Sequence, residues 1–260
     1  MIITTSANKN EALVEKALSL SCKYGIEYYA RQGNSIEYLL KTVDPQIFVV
    51  NNMRGLSYYS EGAREAFYHP NMAAHRIANL RKGYPDSMAA ACKLEPGMSF
   101  FDGTLGLGAD ALAASYAVGE SGEILAVEKS FPIYLLVAEG LKFYAKQHPE
   151  WASTIKRIKI KNTDNLNSMR QCQEQSFDVV YFDFMFTQPI TNSSGIQSIR
   201  NLASYDALMQ EHIHEARRIT RERIVVKTNR DGLKELAKFG FIIEKENTRR
   251  SFYYAVLEIH

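Results

Sequence analysis

The apolar positions of the chain fall into two regimes. From Met98 onward, short apolar runs alternate with stretches of helical periodicity. The runs at 98–102, 123–127, 155–160, 178–182 and 223–226 predict five strands, and the stretches 109–118, 132–147, 166–172, 205–219 and 232–238 predict helices. Two further runs, 241–245 and 252–259, are joined by a short charged turn. Five strand–helix alternations predict a parallel, doubly wound sheet with both faces covered. The last two strands must be antiparallel neighbours, because a parallel crossover needs about a dozen residues or more.

Before Met98 the pattern is finer. Residues 1–68 read as a small α/β domain, with strands at 2–4, 26–30 and 46–51 and a hairpin from 56–59 and 66–68. Asn8 or Asn10 caps a helix that ends near Gly25, and Ser35 opens a short helix. No catalytic signature falls here, so the expectation is a packing or substrate-guiding domain. A second domain, 69–260, opens with helices. Pro70 sits in a first turn, where proline is tolerated; that helix stops at Gly83, and Asp86 caps another through Ala91.

Composition narrows the classes. A chain of 260 residues with 46% hydrophobic residues can bury a core without staples. The net charge of +2 neither requires nor excludes a nucleic-acid partner, so any basic face must be local. Cys22, Cys92 and Cys172 are scattered, which reads as reduced thiols of a cytoplasmic protein. No His/Cys/Asp cluster has metal-ligand spacing, no apolar run is long enough to span a bilayer, and the first six residues read as a strand rather than a signal peptide.

The chemistry concentrates after the first strand of the second regime. Asp102-Gly103-Thr104-Leu105-Gly106-Leu107-Gly108 ends that strand in a carboxylate and a glycine turn, and a helix follows at once. Glycines let the backbone turn sharply and let a ligand approach without meeting a Cβ. A dinucleotide fingerprint would bring a pyrophosphate here. A carboxylate beside a pyrophosphate is repulsive, whereas beside a cation it is attractive. S-adenosylmethionine (SAM), with an ammonium and a sulfonium and no phosphate, suits Asp102, Gly103, Gly106 and Gly108 better than NAD does.

Ligands in such sheets bind beyond the carboxyl ends of the strands, and each end offers a polar group. Glu128 ends the second strand about 20 residues after the glycines, where an acid accepts ribose hydroxyls. Asn162-Thr163-Asp164-Asn165 follows the third, where a side chain can hold the adenine amino group. Asp183 ends the fourth, where the chemistry sits. In Asp183-Phe184-Met185-Phe186 the carboxylate and the Phe184 carbonyl could hold an amine, and Phe186 could stack on a base.

A sheet ending in a hairpin, with these strand ends, resembles the class I SAM-dependent methyltransferases. More closely, the chain resembles the bacterial small-subunit rRNA guanine-N2 methyltransferases of the J type and their relatives in Gram-positive bacteria. The resemblance spans roughly 69–230. It is carried by 76–83, by Asp102 to Ala111, by Val127-Glu128-Lys129-Ser130 with Pro132 and 139–141, and by Asp183-x-Met185-Phe186. It implies a Rossmann-like seven-stranded sheet with the last strand inserted between the fifth and sixth. It also implies SAM contacts by Asp110, Glu128 and Asp183, with Lys129 beside them, and ribosomal RNA or the small ribosomal subunit as partner. The family usually has prolines where Phe184 and Thr187 stand here.

The expected function is therefore methyl transfer from SAM to an exocyclic amino nitrogen of an RNA base. Two alternatives stay open: an O-methyltransferase acting on a carboxylate or small molecule, and a SAM- or RNA-binding protein without catalysis. Basic runs at 156–161, 217–223 and 249–250 could serve RNA or be solvated faces. Residues 192–195 with Arg200 read as a loop suited to a substrate lid. A homodimer is neither required nor excluded.

Overall fold

Ile2–Thr5 (β1) is buried at all of its positions, which marks an internal strand. The structure, a computed structural model, describes residues 1–6, 10–184, 210–243 and 252–260. Within them β1 lies between Glu27–Tyr28 (β2) and Gln46–Asn51 (β3), parallel to both. Gly55–Ser60 (β4) and Ala66–Phe67 (β5) continue the sheet antiparallel, in the order β2-β1-β3-β4-β5. Helix α1 (Glu11–Tyr24) is capped by Asn10, whose Oδ1 accepts the Ala12 N–H at 3.0 Å, and ends at Gly25 in the left-handed region. Ser35 caps α2 (Ile36–Thr42), whose Leu39 packs with Ile2, Ile47 and Val49. The strand expected at 26–30 is shorter than its apolar run, and Asn8 lies outside the described residues.

The second sheet follows α3 (Asn71–Arg81) and α4 (Ser87–Ala91). Its elements are β6 (Ser99–Asp102), α5 (Ala109–Ala117), β7 (Glu123–Glu128), α6 (Phe131–Gln147), α7 (Ala152–Lys156), β8 (Ile158–Asn162), α8 (Asn165–Arg170) and β9 (Phe177–Phe182). Then come α9 (Gln210–Ile219), β10 (Thr220–Thr228), α10 (Arg230–Ala237), β11 (Ile242–Ile243) and β12 (Tyr253–Glu258). The strand order is β11-β12-β10-β9-β6-β7-β8. Neighbours from β8 to β10 run parallel, and β12 is antiparallel to both β10 and β11. This is the expected Rossmann-like layout, with the last strand, β12, inserted between the fifth, β10, and the sixth, β11.

In the second sheet the third strand also differs from expectation. The run 155–160 divides: Ile155 ends up in α7, and the third strand begins at Ile158. Ile155 and Ile158 are three apart, a helical spacing, while Ile158 and Ile160 are two apart, a strand spacing. The residues 205–209 expected to open α9 and the turn between the last two strands lie outside the described residues.

The chain divides into two compact units. The first contains Met1–His69 together with Leu135–Gln147 of α6. In it Gly140 faces Tyr68 so closely that an added Cβ would lie 2.2 Å from the Tyr68 Cβ, so the absent side chain is what allows the packing. The second holds the seven-stranded sheet, whose core includes Phe101, Val180, Phe182, Ile213, Val226 and Leu257. Among the described residues no helix is long and apolar enough to cross a membrane.

Candidate active site

In the second sheet the connections switch direction between β6 and β9, and ligands bind beyond the carboxyl ends at such a point. Asp102 closes β6 there, fully buried. Its Oδ1 accepts the Thr104 N–H at 2.9 Å, while its Oδ2 is buried with no hydrogen-bond partner among the described residues. Burial, reinforced by the charge of Asp110, pushes its pKa well above the usual carboxylate range. At Gly103 an added Cβ would lie 2.4 Å from Cε1 of Phe182, so only glycine fits. Gly106 (φ +49°) and Gly108 (φ +72°) take left-handed conformations that turn the chain into α5.

Glu128 ends β7 and reaches back to this turn. Its Oε2 accepts the Gly106 N–H at 3.0 Å and its Oε1 the Ser130 N–H at 2.8 Å. Burial raises its pKa, and those N–H groups oppose the rise. A carboxylate has about four acceptor positions, so beside these backbone donors capacity remains for a hydroxyl. Asn162 fixes the turn below by donating to the carbonyls of Glu128 (2.7 Å) and Lys129 (3.1 Å). Asp164 caps α8, its Oδ1 accepting the Leu166 and Asn167 N–H groups at 3.1 and 3.2 Å. Its Oδ2 faces Lys129 Nζ at 3.8 Å.

Asp110, in the first turn of α5, is held by two partners. Arg76 of α3 donates to its Oδ1 and the Tyr181 hydroxyl donates to its Oδ2 at 3.1 Å. Arg76 also grips Asp86 in a bidentate pair, at 2.7 and 2.9 Å. Burial works against the Asp86 charge, yet Arg76 holds that carboxyl below its ordinary range.

Asp183 follows β9. Its backbone N–H donates to Thr104 Oγ1 at 2.6 Å, which joins it to the glycine turn. Its Oδ2 accepts from Lys227 Nζ at 2.6 Å, and the two side chains remain 31% and 26% exposed. Burial raises the Asp183 pKa against the opposing charge of Lys227. Lys227 is held above its ordinary value, since Asp183 and Asp110 outweigh its burial. The Phe184 ring is buried, stacked on Phe182 (centroids 5.2 Å) and edge-on to His212 (5.9 Å). Behind it, Asn165 donates to the Gly103 carbonyl at 3.2 Å and meets His212 Nε2 at 3.1 Å. Phe186, and the loop with Arg200, lie outside the described residues.

The structure thus brings Asp102, Glu128, Asp110 and Asp183 to one edge of the sheet, around a turn whose glycines leave space at Gly106. A buried carboxylate oxygen without a partner among the described residues and an excess of negative charge fit a cationic ligand, so the residues present fit SAM. Arg76, Tyr181 and Lys227 belong to this network; Arg76 opens the 76–83 stretch that carries the resemblance, without a site role read from it, and Tyr181 and Lys227 carry no motif. For Lys227 a signal did exist: it lies near the carboxyl end of β10, where the same strand-end rule applies.

The basic runs serve the fold in large part. Arg218 donates to the Cys172 and Met169 carbonyls, Arg221 pairs with Asp178, Arg223 with Glu258, and Lys159 with Glu123. Residues 249–250 lie outside the described residues.

The family described as "Putative SAM-dependent methyltransferase" matches residues 52–255. An uncharacterised Bacillus subtilis protein, YpiP, is 36% identical over 257 residues, 99% of each chain. The ribosomal RNA small subunit methyltransferase J of Acinetobacter baumannii is 28% identical over 162 residues, 57% of each chain. A crystal structure of a SAM-dependent methyltransferase from Neisseria gonorrhoeae shares the fold, with TM-score 0.60 and 16% identity over 100% of this chain and 96% of that one. A family match across most of the chain, a full-length relative and the shared fold have one reading: the chain belongs to the SAM-dependent methyltransferase family, and its cofactor is S-adenosylmethionine.

Proposed function

We propose that this methyltransferase acts on an exocyclic amino nitrogen of an RNA base, as in guanine-N2 methylation of ribosomal RNA. The observation that carries the reading is Asp183: a partly exposed carboxylate beside the glycine turn, with one oxygen on Lys227 and the other without a hydrogen bond among the described residues. The name of the Acinetobacter relatives supports an RNA substrate.

SAM, when bound, would supply a methyl group on a sulfonium, whose sulfur would leave with the C–S electron pair as the acceptor nitrogen forms its bond to the methyl carbon. The chain's own residues position and balance charge. Asp102 and Asp110 favour the cofactor's positive charge. Glu128 would hold its ribose hydroxyls, and Asp164, with Lys129 beside it, would hold its adenine amino group. Asp183 accepts an N–H of the amine, with the Phe184 carbonyl beside it, and receives the proton that the amine loses on methylation. Its raised pKa suits that last task.

The test is Asp183→Ala. SAM binding, followed by calorimetry, is expected to persist, while transfer of labelled methyl to small ribosomal subunits from a strain lacking the gene is lost. Retained transfer in the variant would refute the role of Asp183. A second reading, O-methylation of a carboxylate, draws on Lys227, a cation able to pair with an anionic acceptor. Methyl transfer to small carboxylic acids but never to RNA would establish it.

A further inference from the structure

Lys227 is a cation in a site whose other features favour a cation. It faces Asp183 and feels Asp110 and Arg76, and its Nζ lies 5.1 Å from the centroid of Phe252. A lysine here repels a positively charged cofactor, so as a cofactor contact it is counterproductive. As a plain structural pair it is also poorly explained. Half-buried ion pairs contribute little after desolvation, and the parallel register of β9 and β10, with Val226 opposite Phe182, is already set by the backbone.

That same register fixes the geometry. Asp183 and Lys227 each follow one member of the Val226–Phe182 pair, so they emerge side by side at the carboxyl edge. The ammonium has three donors, of which Asp183 takes one. Among the described residues, a carboxylate with an oxygen that no hydrogen bond takes therefore stands next to an ammonium with N–H groups beyond the one on Asp183, both partly open to solvent. Acceptor beside donor is the complement of an N–H with an oxygen or ring nitrogen beside it. Every exocyclic amine of a nucleobase has such a neighbour.

We propose that Lys227 is a recognition residue for the methyl acceptor, and that Asp183 and Lys227 read it as one pair. Asp183 accepts the amine N–H, and Lys227 donates to the neighbouring oxygen or ring nitrogen. This rests on the amino-nitrogen reading above. Lys227 also keeps Asp183 ionised. The groups that face Asp183 are Lys227 from β10, Arg76 from α3, Asp110 from α5, Asp102 from β6 and Tyr181 from its own strand. The two cations oppose the two carboxylates, and removing Lys227 leaves the balance negative.

The experiment compares wild type, Lys227→Met, Lys227→Gln and Lys227→Arg. Folding is checked by calorimetric SAM binding, and small ribosomal subunits from a strain lacking the gene serve as the probe. Lys227→Met is expected to lose about 10- to 100-fold in kcat/KM, chiefly through a raised KM, with SAM affinity kept or improved. Its acid limb in the pH–rate profile should move to higher pH, because an acid that loses a neighbouring cation holds its proton more tightly. Lys227→Arg should recover most of the activity, and Lys227→Gln should recover KM but not the acid limb. A carbon-13 titration of the Asp183 carboxyl reads the same shift without turnover. Unchanged KM and an unmoved acid limb in Lys227→Met would overturn the role of Lys227 while leaving the amino-nitrogen reading intact. A wild type that binds SAM yet transfers nothing to the subunits would overturn both.

Discussion

The backbone N–H of Gly106 donates to Glu128 Oε2 at 3.0 Å. Through this bond the glycine turn after β6 and the acid that ends β7 form one rigid lip. Ser130 completes it from the other side, at 2.8 Å. Glu128 thus holds the loop and keeps acceptor capacity for a ligand.

Glu128→Ala should therefore lose on two counts. Hydrogen bonds to a charged group are worth about 1.5–3 kcal/mol each, so SAM affinity is expected to fall by about 10- to 100-fold or more. The Gly106 and Ser130 N–H groups also lose their acceptor, and the melting temperature should drop. Calorimetric titration with SAM, with NAD as a control that binds neither protein, checks the first effect. An unaltered SAM affinity would remove Glu128 from the cofactor site.

Gly103 and Gly106 are required for different reasons, and substitutions separate them. A Cβ at Gly103 meets the Phe182 ring at 2.4 Å, whereas at Gly106 the nearest atom is 3.8 Å away and the constraint is φ +49°. Gly103→Ala should destabilise by overpacking, about 1–3 kcal/mol. Gly106→Ala should cost about 1–2 kcal/mol of backbone strain. Adding Phe182→Leu should rescue Gly103→Ala but leave the cost of Gly106→Ala in place. A double-mutant cycle in urea reads this directly, and equal coupling for both glycines would refute the distinction.

The strand ends were legible because the second sheet obeys local rules. Short apolar runs, glycine turns and capping residues such as Asn10, Ser35 and Asp86 mark their own elements. The run 155–160 was not, since its isoleucines satisfy a helix and a strand at once, and tertiary packing divides them at Arg157. At the site, Asp102, Glu128 and Asp183 could be found because each follows a predicted strand. Lys227 follows the predicted strand 223–226 and falls under the same rule, but Arg76 and Tyr181 could not be placed in that way, because what makes them matter is a partner 34 or 71 positions distant. Spacing along a chain carries no record of such pairs.

Glu139, in the first unit, sets an acid limit on stability. Burial would raise its pKa, but Lys142, Tyr24 and Lys23 bring it down to about 2. A lowered carboxyl pKa stabilises the folded chain above the unfolded value, and that stabilisation is lost as pH falls toward about 2. Because Lys23 and Lys142 are about half exposed, the contribution is discounted to about 2 kcal/mol. Glu139→Gln should lose about that much at neutral pH and little at acid pH. A constant difference in urea midpoint across the range would contradict this assignment.

Asp102 should act in the opposite direction. Its pKa is raised in the folded chain, so the folded state binds a proton more tightly than the unfolded state does. By linkage, stability then declines as pH rises above the unfolded carboxylate value of about 4. Glu128 and Asp183 are raised too and add to the decline, whereas Asp86 and Asp178 are lowered and oppose it at the acid end. Asp102→Asn removes a buried charge with one unpartnered oxygen, and is expected to raise stability near neutral pH by about 1–3 kcal/mol. The same change should weaken SAM binding, since the charge that costs the empty protein stability is what draws a cationic ligand. Melting temperatures from about pH 5 to pH 8, with and without SAM, test both halves. The gain from added SAM should grow with pH in the wild type and grow less steeply in the variant, where Glu128 and Asp183 still titrate. An Asp102→Asn protein that melts below wild type across the range and binds SAM equally well would show that Asp102 serves the fold and leaves the cofactor to its neighbours.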